Sequence, residues 1–193
     1  MQKPDLRNLF EKHRYDSTIA LKSKTWFQQQ ALLLSKSPMM TPNNVLKFGN
    51  KTSRIVPGKL YMFWYDPKGK DTLPHYDRFP LVFPYAKTKD GFMGLNMHYL
   101  PYFYRVQLMT RLMQYATNDK LDENTRLRYS WTLINGVSKF SKAQVCIKSY
   151  LADNVQSQFL EVPGNDWHTA MMLPVERFVG ANKSNVWELS KKV

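Results

Sequence analysis

Several side chains in this 193-residue sequence could support catalysis, but their spacing matches no catalytic motif. No Ser or Cys stands in a nucleophile elbow, and there is no phosphate loop, dinucleotide-binding glycine pattern or zinc-protease signature. The four histidines are scattered along the chain: His13, His75, His98 and His168. His98 lies in a predicted strand whose alternate side chains face inward, so we interpret it as a hydrogen-bonded structural histidine rather than a catalytic one.

Four aspartates lie in predicted loops and could meet at a metal site: Asp66, Asp71, Asp77 and Asp90. Magnesium usually takes one or two carboxylates together with water. Each of these residues is next to Pro, Thr, Arg or Gly, however, where an Asp side chain readily bonds the local backbone. The sequence therefore favours turn chemistry and predicts no catalytic residue, metal or cofactor. A metal-dependent enzyme is the least favoured hypothesis.

Cysteine and hydropathy patterns limit the environment of the protein. Cys146 is the only cysteine, so an internal disulfide and the usual zinc cage are excluded. The first 15 residues are charged throughout and lack the apolar core of a secretory signal. No apolar run approaches the ~20 residues needed to cross a bilayer. We expect no membrane contact and a reducing cytoplasm, or a particle assembled within one.

The charge balance is strongly basic, with 28 Lys and Arg against 15 Asp and Glu, a net +13. Residues 1–56 contain ten of the basic and three of the acidic residues, which leaves +7 in this part alone. A net charge of about 2–8 is enough for solubility in a small domain. The excess therefore favours contact with a polyanion such as nucleic acid, or with an acidic protein surface; solubility alone is the simpler alternative.

The N-terminal part of the chain mixes basic residues with aromatic ones. Cations beside phosphates release counterions, and no base-reading motif is visible, so backbone contacts should dominate any DNA binding. We predict that Trp26 and Phe27 dock into a protein groove rather than stack on bases. The predicted DNA-contacting residues are Lys3, Arg7, Lys12, Arg14, Lys22, Lys24 and Lys36.

The hydrophobic pattern predicts an α+β fold in which residues 56–101 form an SH3-like small β-barrel. Residues 59–65 are apolar or aromatic on both faces, which is typical of a strand covered on both sides. A second strand at 79–83, a hairpin at 87–91 and a third strand at 92–99 complete the predicted barrel.

Helices are predicted on both sides of this barrel. Residues 1–55 are predicted to form a basic helical arm that includes a capped start at Thr41-Pro42, and residues 56–193 one globular domain whose part 102–193 is helical. The individual C-terminal predictions are a helix over 103–116, one from Asp122 through Val137, one over 144–158 with Ile147, Leu151 and Val155 on its buried stripe, and a last turn over 184–191.

Three motif blocks resemble a family of small proteins from T4-like tailed phages, particularly those of marine hosts. They are YDPK at 65–68, LPHYDRFP at 73–80 and GFMGLNMHYLP at 91–101; WFQQQ at 26–30 and RFVGANKS at 177–184 are also similar. The family resembles virion or virion-assembly components, and in particular a DNA end protector that sits on the packaged genome terminus. No DNA-contacting residue of the family can be placed on this chain.

The resemblance implies a non-enzymatic virion protein, assembled in the host cytoplasm as part of a larger particle. Its expected partners are double-stranded DNA, bound at the genome ends without sequence preference, and other phage virion proteins. The alternative is a structural adaptor in the tail, baseplate or neck that makes no DNA contact.

Overall fold

The computed structural model describes Lys36 and residues 41–191, and these form an α+β fold built on an open antiparallel sheet. Six strands lie in the order β1-β7-β2-β4-β5-β6, and β3 pairs with β8 in a separate ribbon. The strands are β1 (Asn50–Thr52), β2 (Leu60–Met62), β3 (Tyr76–Asp77), β4 (Leu81–Lys87), β5 (Gly91–Asn96), β6 (Ile147–Leu151), β7 (Phe159–Val162) and β8 (Phe178–Val179). The predicted fold class is confirmed at this level.

Two of the helices start where the sequence predicts, and each has a side-chain cap; the cap was predicted for Thr41 and not for Asp122. Thr41 Oγ1 accepts a hydrogen bond from the backbone N–H of Asn44 at 3.3 Å, and Asp122 Oδ1 accepts one from Thr125 at 3.0 Å. None of the described helices is long and apolar enough to cross a bilayer. The helices are α1 (Pro42–Phe48), α2 (Tyr102–Ala116), α3 (Glu123–Val137), α4 (Trp167–Met172) and α5 (Lys183–Lys191).

The predicted SH3-like barrel over 56–101 is wrong, because the sheet is open and ends at β1 and β6. Residues 56–101 supply only the neighbours β2, β4 and β5 to this sheet. Strand β7 pairs with β2 at Leu60↔Val162, and β6 pairs with β5 at Gly94↔Lys148. Closure would require the first strand to pair with the last. Here the sheet is completed instead by β1 and by two strands from 147–162.

The helix predicted over 144–158 is also wrong. Ile147, Leu151 and Val155 are four residues apart, as on a helix, but residues 147–151 form β6 and pair with β5 along its whole length. Tyr150 is 3% exposed, and its ring lies 5.2 Å from that of Phe92 on the neighbouring strand. Cross-strand contacts thus outweigh the helical spacing.

Both faces of the sheet are covered, as the sequence of β2 predicts. Leu60 and Met62 lie in the main core between the sheet and the helices, where the Phe83 ring is 4.9 Å from that of Trp167. On the opposite face Phe63 is the centre of a second, aromatic core. This core consists of Tyr61, Phe63, Tyr65, Val82, Phe92 and Tyr150, with Ile55, Val155 and Phe159 packed against it.

Candidate nucleic-acid interface

Most of the predicted DNA-contacting residues lie outside the described part of the chain, and their roles stay predictions. This holds for Lys3, Arg7, Lys12, Arg14, Lys22 and Lys24, and equally for the predicted docking residues Trp26 and Phe27. Lys36 is described, and it is exposed in a turn.

The cationic excess is not confined to the N-terminal residues. The described residues, Lys36 and 41–191, contain 21 Lys and Arg against 12 Asp and Glu, a net +9 of the total +13. The folded part of the chain therefore carries a positive field of its own, which attracts polyanions.

Some of these cations are matched by carboxylates. Lys59 Nζ lies 2.9 Å from Glu161 Oε1 and 3.5 Å from Glu123 Oε1. Burial tends to lower the pKa of Lys59, but the hydrogen bond and charge of Glu161, together with Glu123, raise it above its usual value. Ion pairs also join Lys70 to Asp66, Arg126 to Asp119 and Lys183 to Glu176.

Four cations near the β4–β5 hairpin have no such match, and we call them the hairpin basic surface: Lys87, Lys89, Arg128 and Lys139. All four are exposed, and none has a carboxylate within 4.0 Å among the described residues. Cations that are not neutralised internally remain available for phosphate.

Contacts join β4, the first strand of the hairpin, to α3. Trp131 Nε1 on α3 donates a hydrogen bond to the backbone oxygen of Tyr85 at 2.8 Å. Burial raises the pKa of Tyr85, although a hydrogen bond with Ser138 at the end of α3 acts in the opposite direction. Lys87 is two residues beyond Tyr85, so this part of the hairpin lies near α3, which carries Arg128 and is followed by Lys139.

The edge strand and a nearby loop carry further exposed cations. Lys51 lies on β1, and Arg54 follows it after a turn in which Thr52 Oγ1 accepts a hydrogen bond from the Arg54 N–H at 3.1 Å. The guanidinium of Arg78 is 5.8 Å from the centre of the Trp64 ring. The sequence pattern did not single out these positions or the hairpin basic surface. A signal was present for two cations of that surface, because Lys87-Thr88-Lys89 places them in a tight turn.

The Asp77–His98 pair is the arrangement in the described region that most resembles a catalytic one. His98 Nδ1 lies 2.7 Å from Asp77 Oδ2, and His98 is fully buried. Burial tends to raise the pKa of Asp77, but the charge and hydrogen bond of His98, and N–H groups of Arg177 and Phe79, lower it below its usual range. The predicted hydrogen bond of His98 is thus present, and its imidazole is shielded from solvent in the core.

Arg105 is a second buried polar residue, and sequence analysis did not single it out. Its guanidinium is fully buried and donates to the backbone oxygens of Leu100, Met171 and His98 at 2.6, 3.0 and 3.0 Å. The ring centre of Tyr102 lies 4.7 Å from Arg105 Cζ. Burial lowers the pKa of Arg105. Its N–H donors join α2 to α4 and to the turn at 97–99, so it does not face DNA.

The loop aspartates do not converge. Asp66 pairs with Lys70, Asp71 and Asp90 are exposed, and Asp77 is buried against His98. Across the described residues there is no group of three or more His, Cys, Asp or Glu side chains that could hold a metal ion. Asp77 does make the predicted turn contact, with Oδ1 accepting the Phe79 N–H at 3.0 Å.

Comparison with known proteins gives one informative result. No curated protein and no solved structure matches the chain. The family model described as phage T4 terminal DNA protecting protein matches residues 5–192, which is almost the whole sequence. This confirms the resemblance carried by the motif blocks at 65–68, 73–80 and 91–101. The chain therefore belongs to the phage T4 terminal DNA protecting protein family.

Proposed function

We propose that this protein is a phage virion component that binds the ends of linear double-stranded DNA and shields them from degradation. The observation that carries the proposal is the family match over residues 5–192. The net charge of +13 supports it, because a cationic protein gains free energy by releasing the counterions of the duplex.

In this proposal the contacts are to phosphates and read no bases. The N-terminal cations and the hairpin basic surface provide ammonium and guanidinium groups, which suit phosphate oxygens. A protein that occupies the last base pairs in this way blocks an exonuclease by steric exclusion. No bond is made or broken, so the role is not enzymatic.

The proposal also includes docking on other virion proteins, since a protector must stay with its particle. Trp26 and Phe27 remain our proposed docking residues in the N-terminal part. No observation favours the alternative of a tail, baseplate or neck adaptor without DNA contact.

An exonuclease assay tests the DNA function. A linear duplex is mixed with the full chain and digested by exonucleases of either polarity. In a parallel reaction, the same duplex closed at both ends by hairpin loops is added as a competitor for the protein. We expect protection of the open duplex, and weak competition by the closed one. Rapid digestion at saturating protein, or equal competition by the closed duplex, would rule out end binding.

A further inference from the structure

An open apolar groove of about 520 Å³ runs between α2 and α3, and the proposed DNA function does not use it. We call it the α2–α3 groove. Its lining is Leu100, Tyr104, Gln107, Leu108, Thr110, Arg111, Leu133, Val137, Phe140 and Ala143. Most of these side chains are aliphatic or aromatic, as in grooves that accept another protein's helix.

The groove has two walls because apolar residues recur every three to four positions on each helix. Tyr104, Leu108 and Arg111 line it from α2, and Leu133 and Val137 from α3. Tyr115 and Tyr129 continue the same two rows toward the α2–α3 turn, with ring centres 5.2 Å apart.

Phe140 at the other end of the groove is 67% exposed, more than any other large hydrophobic side chain in the described region. A Phe ring in water forgoes about 1.5–3 kcal/mol of burial free energy. Tyr129 is 40% exposed at the opposite end of the rows. Exposed rings at both ends of an apolar channel are typical of protein-binding surfaces.

Among the described residues, the charged side chains that line the groove or lie on its two helical rows and at Lys139 are positive. Arg111 is the single charged residue of the lining. Lys139 lies between Val137 and Phe140 in the sequence, and the Arg128 guanidinium is 5.6 Å from the ring centre of Tyr129. None of these three cations has a carboxylate within 4.0 Å among residues 41–191. The acidic residues of this helical hairpin are confined to its turn: Asp119, Asp122 and Glu123.

We propose that the α2–α3 groove binds an amphipathic helix of another virion protein, one whose apolar stripe is flanked by Asp and Glu. The apolar stripe would cover the groove, and the carboxylates would meet Arg111 in its lining. They would also reach Arg128 and Lys139, two members of the hairpin basic surface that DNA and the partner helix would then share. The charge complementarity selects this occupant, because it supplies the acids that the rim lacks. The inference rests on the virion-docking part of the proposed function and gives it a surface and a partner chemistry.

The charges disfavour the other occupants. Residues 1–35 of this chain carry six basic and three acidic residues, so they would bring a net +3 to a cationic rim. A second copy would bring +13. The negative charge of DNA matches the cations of the rim, but Arg111 is the single charged residue in the groove lining that could bind its phosphates.

Two labelled peptides test the proposal against the full chain by fluorescence anisotropy. Both are designed amphipathic helices of about five turns with Leu on one face; one has Glu on the flanks and the other has Lys at the same positions. We expect the Glu peptide to bind at least about tenfold more tightly than the Lys peptide.

Variants locate the site. Phe140→Ala and Arg111→Glu are each expected to weaken the Glu peptide about tenfold, and Arg111→Glu to strengthen the Lys peptide. The matched controls are Leu73→Ala, an exposed apolar side chain, and Lys68→Glu, an exposed cation. Neither control lines the groove, so neither should change binding of the Glu peptide.

Four results would overturn the proposal. Equal binding of the two peptides would show that charge does not select the occupant. If the Glu peptide binds only after Trp26→Ala and Phe27→Ala are introduced into the full chain, the chain's own N-terminal segment fills the groove. A dimer that becomes monomeric on Phe140→Ala would assign the groove to a second copy. Loss of exonuclease protection on Phe140→Ala would assign it to DNA.

The same variants separate this proposal from the DNA function. If the Glu peptide fails to bind while the ends of linear DNA stay protected, only the groove proposal falls. If the peptide binds but the ends are digested, the groove proposal stands and end protection falls.

Discussion

Asp77 accepts a hydrogen bond from His98 Nδ1 at 2.7 Å, and the side chains are 1% and 0% exposed. Asp77 also accepts the Arg177 N–H at 3.0 Å, from a residue 100 positions away. One carboxylate thus joins the β3–β8 ribbon to the turn that follows β5. The pair ties the ribbon to the main core.

Replacing Asp77 with Asn should therefore destabilise the fold. The amide presents an N–H group where the carboxylate accepted one, and it leaves buried donors unsatisfied. We expect the free energy of unfolding to fall by about 3–5 kcal/mol in urea titrations. The control is Asp71→Asn in an exposed loop, which should change it by less than about 0.5 kcal/mol. A decrease under about 1 kcal/mol for Asp77→Asn would contradict the structural role.

Acid should weaken the fold through the same residue. Because the pKa of Asp77 is lower in the folded protein than in the unfolded chain, its contribution is fully present above the unfolded pKa near about 4. This contribution disappears as the pH falls through the folded pKa. Burial tends to raise the pKa of Glu176, but attraction by His98, Arg105 and Lys183 lowers it, so Glu176 acts in the same direction.

Urea midpoints measured from about pH 6 to pH 3 test whether acid lowers the stability. We expect most of the decrease below about pH 4. Asp77→Asn should flatten the acid limb of this profile. An unchanged limb in the variant would assign the acid sensitivity to other carboxylates.

Two glycines should respond oppositely to replacement by Ala. Gly58 has φ +92°, and a Cβ there would lie 2.9 Å from the Leu127 backbone oxygen, so Gly58→Ala should destabilise by more than about 1 kcal/mol. Gly136 lies within α3, and a Cβ there would have nothing within 4 Å. Gly136→Ala should stabilise by about 0.5–1 kcal/mol, because Ala is the better helix former. Melting curves of the two variants check both signs; a destabilising Gly136→Ala would show that α3 is packed differently.

Cys146 should report global unfolding. It is the only cysteine, it is 1% exposed, and burial raises the pKa of its thiol to about 12. We expect an aromatic disulfide reagent at about pH 8 to react only as fast as the protein opens, and faster in Asp77→Asn. Immediate stoichiometric reaction of the folded protein would contradict the burial of this residue.

The salt dependence of DNA binding should separate free from matched cations. The slope of log K against log salt concentration decreases in magnitude by about 0.9 for each phosphate that a variant no longer neutralises. We expect smaller slopes when Lys3, Arg7, Lys12 and Arg14 are replaced by Gln, and when the hairpin basic surface is replaced likewise. Lys70→Gln is the control, since Lys70 already pairs with Asp66 at 2.8 Å. A slope that changes only with Lys70 would contradict phosphate binding by the exposed cations.

Local features of the fold could be predicted because a few neighbouring residues determine them. The Thr41 and Asp122 caps depend on a side chain and an N–H three residues later, and both form. The hairpin at 87–91 forms for the same kind of reason, with the Thr88 N–H bonded to the Gly91 oxygen at 3.0 Å. The family also followed from sequence, because its motif blocks are contiguous.

The α2–α3 groove illustrates what could not be predicted. Both helices were predicted, but the four-residue spacing of Leu133 and Val137 on α3 is equally consistent with a buried core. Whether such residues are covered depends on what packs beside them, and α2 and α3 leave this seam open. The hairpin basic surface likewise depends on the contact between Trp131 and Tyr85, which are 46 residues apart.

Sequence alone thus determined the family, the basic character, the helix starts and the β-rich segment, because composition, contiguous motifs and capping act over short distances. Tertiary structure decided which strands complete the sheet, which aspartate is buried against His98, and which cations have no carboxylate nearby. Those outcomes depend on contacts such as Lys59 with Glu161, 102 residues apart, whose free energy is gained only after the chain has folded. No local pattern encodes such a pairing.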